Sequence, residues 1–393
     1  MNMAPLRIRN VRLDCPGGAS RLTAEVDGCP VWYESVDVAL QARVEVMASA
    51  FLLPAMMARR DLKIEGGAVS PRWLQNARSL MATFHAWWGY APVEIVCDSE
   101  SPAAVQSGRG QRTALFFTGG VDSFYALLCR QEPIDDLVYV HGFDVGIDDA
   151  VRAADTVEHL RMIAAEAGHR LVLVRTNLRT HPRLADADWT RTHGGALASV
   201  AYALPDVRKM IISASFSTPF VVPWGSHPET DPLWSSEQLS FEHHGVERSR
   251  MAKVLAISEN PLVRRHLRVC WKNRGRRSNC CKCEKCVRTM LILKALNRLQ
   301  PFEAFPLRQQ LFWRACSLST ILPVTFYAYR EMLRVSSCWH TRLAIRTMLL
   351  RSWMRHRQRM LLRNILACGL GEVFSRISPV TRDAKRMKEC KPR

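Results

Sequence analysis

Apolar and polar residues alternate along 7–13 and 21–34 with the period of half-buried strands, and Asp27-Gly28 marks a turn inside the second run. Residues 38–60 carry helical periodicity instead. Ser70-Pro71 reads as the cap and first residue of a second helix, and 93–97 as a short strand. These elements predict a small α+β accessory domain over 1–107. The stretch 99–110 is polar and contains Gly, Ser and Pro, as a linker does. The pattern then changes. Short apolar runs at 115–117, 137–140, 171–175 and 210–214 are separated by helical stretches at 123–130, 151–167 and 194–204. That alternation predicts an α/β domain over 111–299, a parallel sheet with helices on both faces. The last segment, 300–393, reads as basic and helical, with apolar and arginine residues at helical spacing over 343–366 and a frayed tail at 385–393.

In a parallel α/β sheet, ligands bind beyond the carboxyl ends of the strands. Polar residues follow each apolar run there. Thr118, Gly119, Gly120, Val121, Asp122 and Ser123 come after the first, and His141 after the second. Thr176-Asn177 follow the third, and 215–217 the fourth. The first of these groups is the most informative. Two glycines let backbone N–H groups approach an anion, and the helix that follows turns its positive end to the same place. Thr118 and Ser123 add hydroxyls, and Asp122 adds a carboxylate able to face Mg²⁺ or to brace the loop. No Gly-Lys-Ser/Thr follows, which excludes a Walker A loop.

Cys270, Cys280, Cys283 and Cys286 are spaced C-x9-C-x2-C-x2-C. Four thiolates satisfy tetrahedral Zn²⁺, and two-residue gaps let successive sulfurs converge on one ion. Lys272, Arg274, Arg276, Arg277, Lys282 and Lys285 offset the charge of such a site. Cys281 is an extra thiol, a spectator or an alternative ligand. A closed four-cysteine site is structural, so no water-activating role attaches to it.

The stretch 118–123 resembles the signature of the PP-loop ATP pyrophosphatases, Ser-Gly-Gly-x-Asp-Ser, with Thr118 keeping the hydroxyl of the first Ser. Followed by four cysteines in this spacing, it resembles the 7-cyano-7-deazaguanine synthase-like proteins of that superfamily. The resemblance covers 111–299. It implies an adenine nucleotide alpha hydrolase-like fold, ATP with Mg²⁺ and Zn²⁺ as cofactors, and an AMP- and pyrophosphate-forming C–N ligase activity. The nucleotide-binding residues it implies are Thr118 to Ser123 with His141, Thr176 and Asn177. The long loop 218–245 corresponds to the family's acceptor site, which assigns His227, Asp231 and Glu237 to the substrate. Arg250 stands where the family's Ser-Lys segment places a lysine facing the ATP phosphates, and Lys253 is a second candidate. Asp122, Ser123, Arg250 and Asp231 are thus the catalytic candidates. His193, ahead of Gly194-Gly195, reads as structural or capping.

The chain has 393 residues, enough for two or three domains, and 48% are hydrophobic, as in a folded protein. The formal net charge of +19 favours anionic partners: a nucleotide, a nucleic acid or an anionic surface. The basic C-terminal segment is the candidate surface for a nucleic-acid or protein partner, beside a small-molecule or modified-base acceptor. Residues 1–10 lack an apolar signal region, and the most apolar helix, 48–58, is too short to span a bilayer and contains Pro54. Five of the 13 cysteines crowd between 270 and 286, which reads as metal binding in a reducing cytoplasm rather than as disulfides. Two other readings fit the same residues: a tRNA-modifying PP-loop enzyme and a non-catalytic nucleotide-binding module.

Overall fold

The computed structural model describes residues 4–100, 111–218, 220–270, 272, 279–318 and 326–367. Most of the expected linker, Arg274, Arg276 and Arg277, and the tail at 385–393 lie outside the described residues. Contacts divide the chain into two compact units, Met1–Arg268 and Val269–Arg393.

The first unit is α/β, built on one ten-stranded, mostly parallel sheet. Its strands are β1 (Leu6–Asp14), β2 (Ser20–Val26), β3 (Cys29–Ser35), β4 (Leu62–Val69), β5 (Ile95–Glu100), β6 (Arg112–Phe116), β7 (Asp136–His141), β8 (Arg170–Thr176), β9 (Val207–Ser213) and β10 (Ser240–His244). Asp27-Gly28 joins β2 to β3 as an antiparallel hairpin, as the turn signal predicts. The order across the sheet is β10-β9-β6-β7-β8-β3-β2-β1-β4-β5. From β6 the chain winds outward through β7 and β8, then returns to the other side of β6 for β9 and β10. All of these neighbours are parallel. Strand order therefore reverses at β6, which makes its carboxyl end a topological switch point, where a crevice opens between diverging connections.

Strands β1 to β5, from the segment that the sequence pattern set apart as an accessory domain, belong to this same sheet. β3 pairs antiparallel with β8, Tyr33 opposite Thr176 and Glu34 opposite Arg175. The two segments also share a core. Helix α1 (Val44–Ala58) is apolar all round and buried from Val44 to Met56, as such a helix must be. Helix α2 (Pro71–Trp88) starts at Ser70, whose Oγ accepts the Trp73 N–H at 2.9 Å, with Pro71 at its first position.

The segment after β6 supplies α3 (Val121–Cys129), α4 (Ala150–Ala167), α5 (Pro182–Ala185), α6 (Trp189–Ala203), α7 (Arg250–Ile257) and α8 (Pro261–His266). Gly194-Gly195 on α6 are explained by packing. A Cβ on Gly195 would lie 2.4 Å from the Ser49 carbonyl oxygen of α1, and one on Gly194 would lie 1.8 Å from that of Gly225. Neither clash could be relieved by a side chain.

The second unit is helical: α9 (Glu284–Ala295), α10 (Leu311–Ser317), α11 (Phe326–Val335) and α12 (Trp339–Ala367). One side of α12, with Ala344, Ile345 and Met348, is buried, while Trp339, Leu343, Leu350 and Trp353 are exposed. Among the described residues no helix is long and apolar enough to cross a membrane.

Candidate functional site

The loop 117–120 leaves β6 at the switch point. Gly119 has φ +70°, a left-handed conformation that suits glycine. Gly120 is the N-cap of α3, and its N–H donates to Ser123 Oγ at 3.1 Å. Ser123 is 5% exposed, so its hydroxyl closes the turn from inside. The backbone N–H groups of Thr118, Gly119 and Val121 donate to no described residue. They stand beside the positive end of α3, an arrangement of donors that suits an anion.

Asp122, in the first turn of α3, meets two cations from α7. Arg250 Nη1 donates to Asp122 Oδ2 at 2.5 Å, and Lys253 Nζ to Oδ1 at 3.3 Å. Lys253 is 2% exposed and also donates to the Ala214 carbonyl oxygen at the end of β9, at 2.7 Å. Tyr125 lies under its ammonium, 5.8 Å from ring centre to nitrogen. Burial opposes ionisation of Asp122, but Arg250 and then Lys253 outweigh it, so the carboxyl is held below its ordinary range. The helix α7 is placed for this by Ser249, whose Oγ accepts the Ala252 N–H at 3.2 Å. Asp122 spends both oxygens on these cations. In this arrangement it braces the loop.

Arg268, which the motif pattern did not single out, closes the other side. Its N–H donates to the Gly119 carbonyl oxygen at 2.8 Å, and its Nη1 lies 3.4 Å from that of Thr118. The available signal was one charge set between Leu267 and Val269.

The remaining candidates have internal partners. Thr176 is fully buried; its Oγ1 donates to the Trp32 carbonyl oxygen at 2.7 Å and accepts the Leu178 N–H. Asn177 accepts the Trp32 N–H and donates to the Pro30 carbonyl oxygen. This pair stitches β8 to β3. His141 Nε2 donates to the Gly146 carbonyl oxygen at 3.1 Å and fixes the turn after β7.

In the long loop, fully buried Asp231 gathers its surroundings. Ser226 Oγ and His243 Nδ1 each donate to its Oδ2 at 2.7 Å, and the His227 N–H donates to Oδ1 at 3.2 Å. His227 turns its ring edge to Trp87. Glu237 is held elsewhere: it accepts from Ser70 Oγ and from the Arg72 N–H, at the start of α2. A cavity of about 190 Å³ touches Glu237 together with Arg43, Glu45 and Ser70, and none of its lining belongs to the 118–123 loop. The structure brings His227 and Asp231 together but places Glu237 in a different hydrogen-bond group.

Burial lowers the pKa of His141, His159, His181, His193 and His227 below the ordinary histidine value of about 6.5. The folded state keeps these rings neutral while the unfolded chain takes up protons, so stability is present above about pH 6.5 and is lost as pH falls through the depressed folded values. The urea midpoint is expected to drop from pH 7 to pH 5. A midpoint unchanged across that window would show that the rings are not held neutral.

In the second unit, the Sγ atoms of Cys270, Cys280, Cys283 and Cys286 all lie within 4.8 Å of one another. Cys270–Cys283 are 3.9 Å apart and Cys280–Cys286 4.0 Å. A zinc tetrathiolate with bonds of about 2.3 Å has sulfur–sulfur edges of about 3.8 Å, so the quartet fits the ion. Asn279 Oδ1 accepts the Val269 and Cys270 N–H groups, and the Lys282 and Cys283 N–H groups point at Cys280 Sγ. Such N–H contacts stabilise thiolates. Four sulfurs this close cannot all ionise against one another. Hydrogen bonding to Cys283 drives Cys270 down, while hydrogen bonding to Cys270 pushes Cys283 up to about 12 and Cys286 higher. Cys281 lies outside the quartet, with its Sγ 3.8 Å from the Asn279 carbonyl oxygen.

No family model, curated protein or solved structure matches the chain. Its chemistry is therefore argued from the two sites themselves.

Proposed function

We propose that the first unit binds ATP through the 118–123 loop and transfers its adenylyl group to an acceptor oxygen with release of pyrophosphate. The observation that supports this reading is the loop at the sheet's switch point, with Asp122 clamped between Arg250 and Lys253. Two cations on one carboxylate leave a net positive charge where the α3 terminus also points, which suits a polyphosphate.

In this reading Gly119, Gly120 and Val121 hold the phosphates through their N–H groups. Lys253 and Arg250 keep the loop in place and offset charge as it shifts towards the leaving pyrophosphate. Mg²⁺ would arrive on the nucleotide's own phosphates, where it neutralises their charge. The carboxylate or amide oxygen of the acceptor bonds to the α-phosphorus as the bond to pyrophosphate breaks. Ammonia or an amine then adds to the activated carbon and AMP leaves. This is the ligase chemistry of the 7-cyano-7-deazaguanine synthase-like proteins that the loop and cysteine quartet resemble. In the same reading Zn²⁺ holds Cys270, Cys280, Cys283 and Cys286 together and takes no part in the reaction.

Incubating the full chain with ATP, Mg²⁺, ammonium and a metabolite extract is expected to yield AMP and pyrophosphate in equal amounts, read by mass spectrometry. Production of ADP, or no nucleotide turnover with any extract, would overturn the proposal. Turnover only with added tRNA would move it to the tRNA-modifying reading.

A further inference from the structure

Arg268 is 9% exposed, and no carboxylate lies within ion-pair distance of it among the described residues. Its Nε is buried with no hydrogen-bond partner, and Nη1 has only the long contact to the Thr118 carbonyl oxygen. Three largely covered arginines of this unit meet acids: Arg60 meets Asp27, Arg130 meets Glu242 and Arg250 meets Asp122. Arg179 and Arg264, which are half-buried, instead donate to the Phe143 and Ser258 carbonyl oxygens, whereas Arg268 is buried. A buried guanidinium without a counter-charge is costly, so its anion is expected to come from outside the chain. Its position says where. Its backbone is bonded to Gly119, and its Cβ lies 3.5 Å from where a Gly119 Cβ would stand. A second orphan adjoins it. Tyr139 Oη, on β7, is buried without a partner and lies within range of the Arg268 charge.

We infer that Arg268 is the counter-charge for the polyphosphate at this loop, and that after cleavage it retains the departing pyrophosphate. The inference rests on the ATP reading above and adds a residue and a ligand group to it. The two clamping cations share one carboxylate, whereas Arg268 meets no carboxylate among the described residues and keeps an N–H without a partner. A planar guanidinium offers two parallel donors to such an oxygen pair, which lysine cannot reproduce.

The test is calorimetric titration of the full chain with inorganic pyrophosphate, ATP and adenosine. Wild type is compared with Arg268→Gln, Arg268→Lys and the exposed-site control Arg161→Gln. Arg268→Gln is expected to weaken pyrophosphate and ATP by about 10- to 100-fold, with adenosine affinity unchanged. Arg268→Lys retains part of the loss, and the control changes nothing. The urea midpoint of Arg268→Gln without ligand should be no lower than wild type, because an unpaired buried charge has been removed. Wild type that binds neither ATP nor pyrophosphate defeats the ATP reading itself. Wild type that binds both, with Arg268→Gln and Arg268→Lys binding them equally well, overturns the role of Arg268 alone. A loss of adenosine binding in step with pyrophosphate would mark Arg268 as merely structural. If Arg268→Gln does not fold, the Arg268→Lys titration decides.

Discussion

Asp122→Ala is expected to destabilise the first unit by about 3–5 kcal/mol, the typical result of removing one member of a buried charge group. Without the carboxylate, Arg250 and Lys253 lose the counter-charge they share, with Lys253 2% exposed and its ammonium tied to the Ala214 carbonyl oxygen. The loss should appear in urea unfolding as a lowered midpoint with an unchanged slope. The double variant Asp122→Ala/Lys253→Met should recover part of it, since it removes the excess charge along with its partner; this non-additivity marks a coupled pair. A shift of less than about 0.5 kcal/mol for Asp122→Ala, the size of an ordinary surface substitution, would show that the clamp is not formed.

The second large effect lies at the cysteine quartet. The purified chain is expected to carry one zinc ion, and Cys283→Ser is expected to lose it. Structural zinc sites contribute about 10–16 kcal/mol of apparent binding energy at neutral pH, and that energy is folding energy where the ion organises the local chain. Cys283 is the N-cap of α9 and Cys286 lies in its first turn, so loss of the ion frees the start of a helix with nine of its 12 residues buried. Helical signal should fall on chelation of the wild type and be low from the outset in Cys283→Ser. Zinc affinity should also weaken as pH falls, because the thiols must release protons to the solvent when the metal enters. Stoichiometric zinc in Cys283→Ser would defeat the ligand assignment.

Most strands and helices of the first unit were legible because their signals are local. The period-two runs, the Ser70-Pro71 cap and the Gly119-Gly120 turn each act within a few residues. The residue pairs that decide the site are not local. Asp122 and Lys253 are separated by 131 positions in sequence, and the pairing of Thr176 with Trp32 spans 144. Nothing near Thr176-Asn177 announces that β3 will lie alongside β8. A polar pair after a strand therefore reads as a ligand contact from sequence, while in the fold its hydrogen bonds stitch two strands. Glu237 is similar: an acid in a long loop can face a substrate or a helix terminus, and only its distance to Ser70 decides which.

By itself the sequence determined the Gly119-Gly120 turn from strand to helix, the cysteine quartet and the alternation that makes a parallel sheet, because each depends on spacing along one stretch of chain. The tertiary structure alone decided that β1 to β5 complete the same sheet, that β6 is the switch point, and which cations serve Asp122. It also left Arg268 buried beside Gly119 with no acid to meet it among the described residues. Burial and the pairing of distant charges are properties of the packed chain, since they depend on which surfaces meet and not on neighbours in sequence.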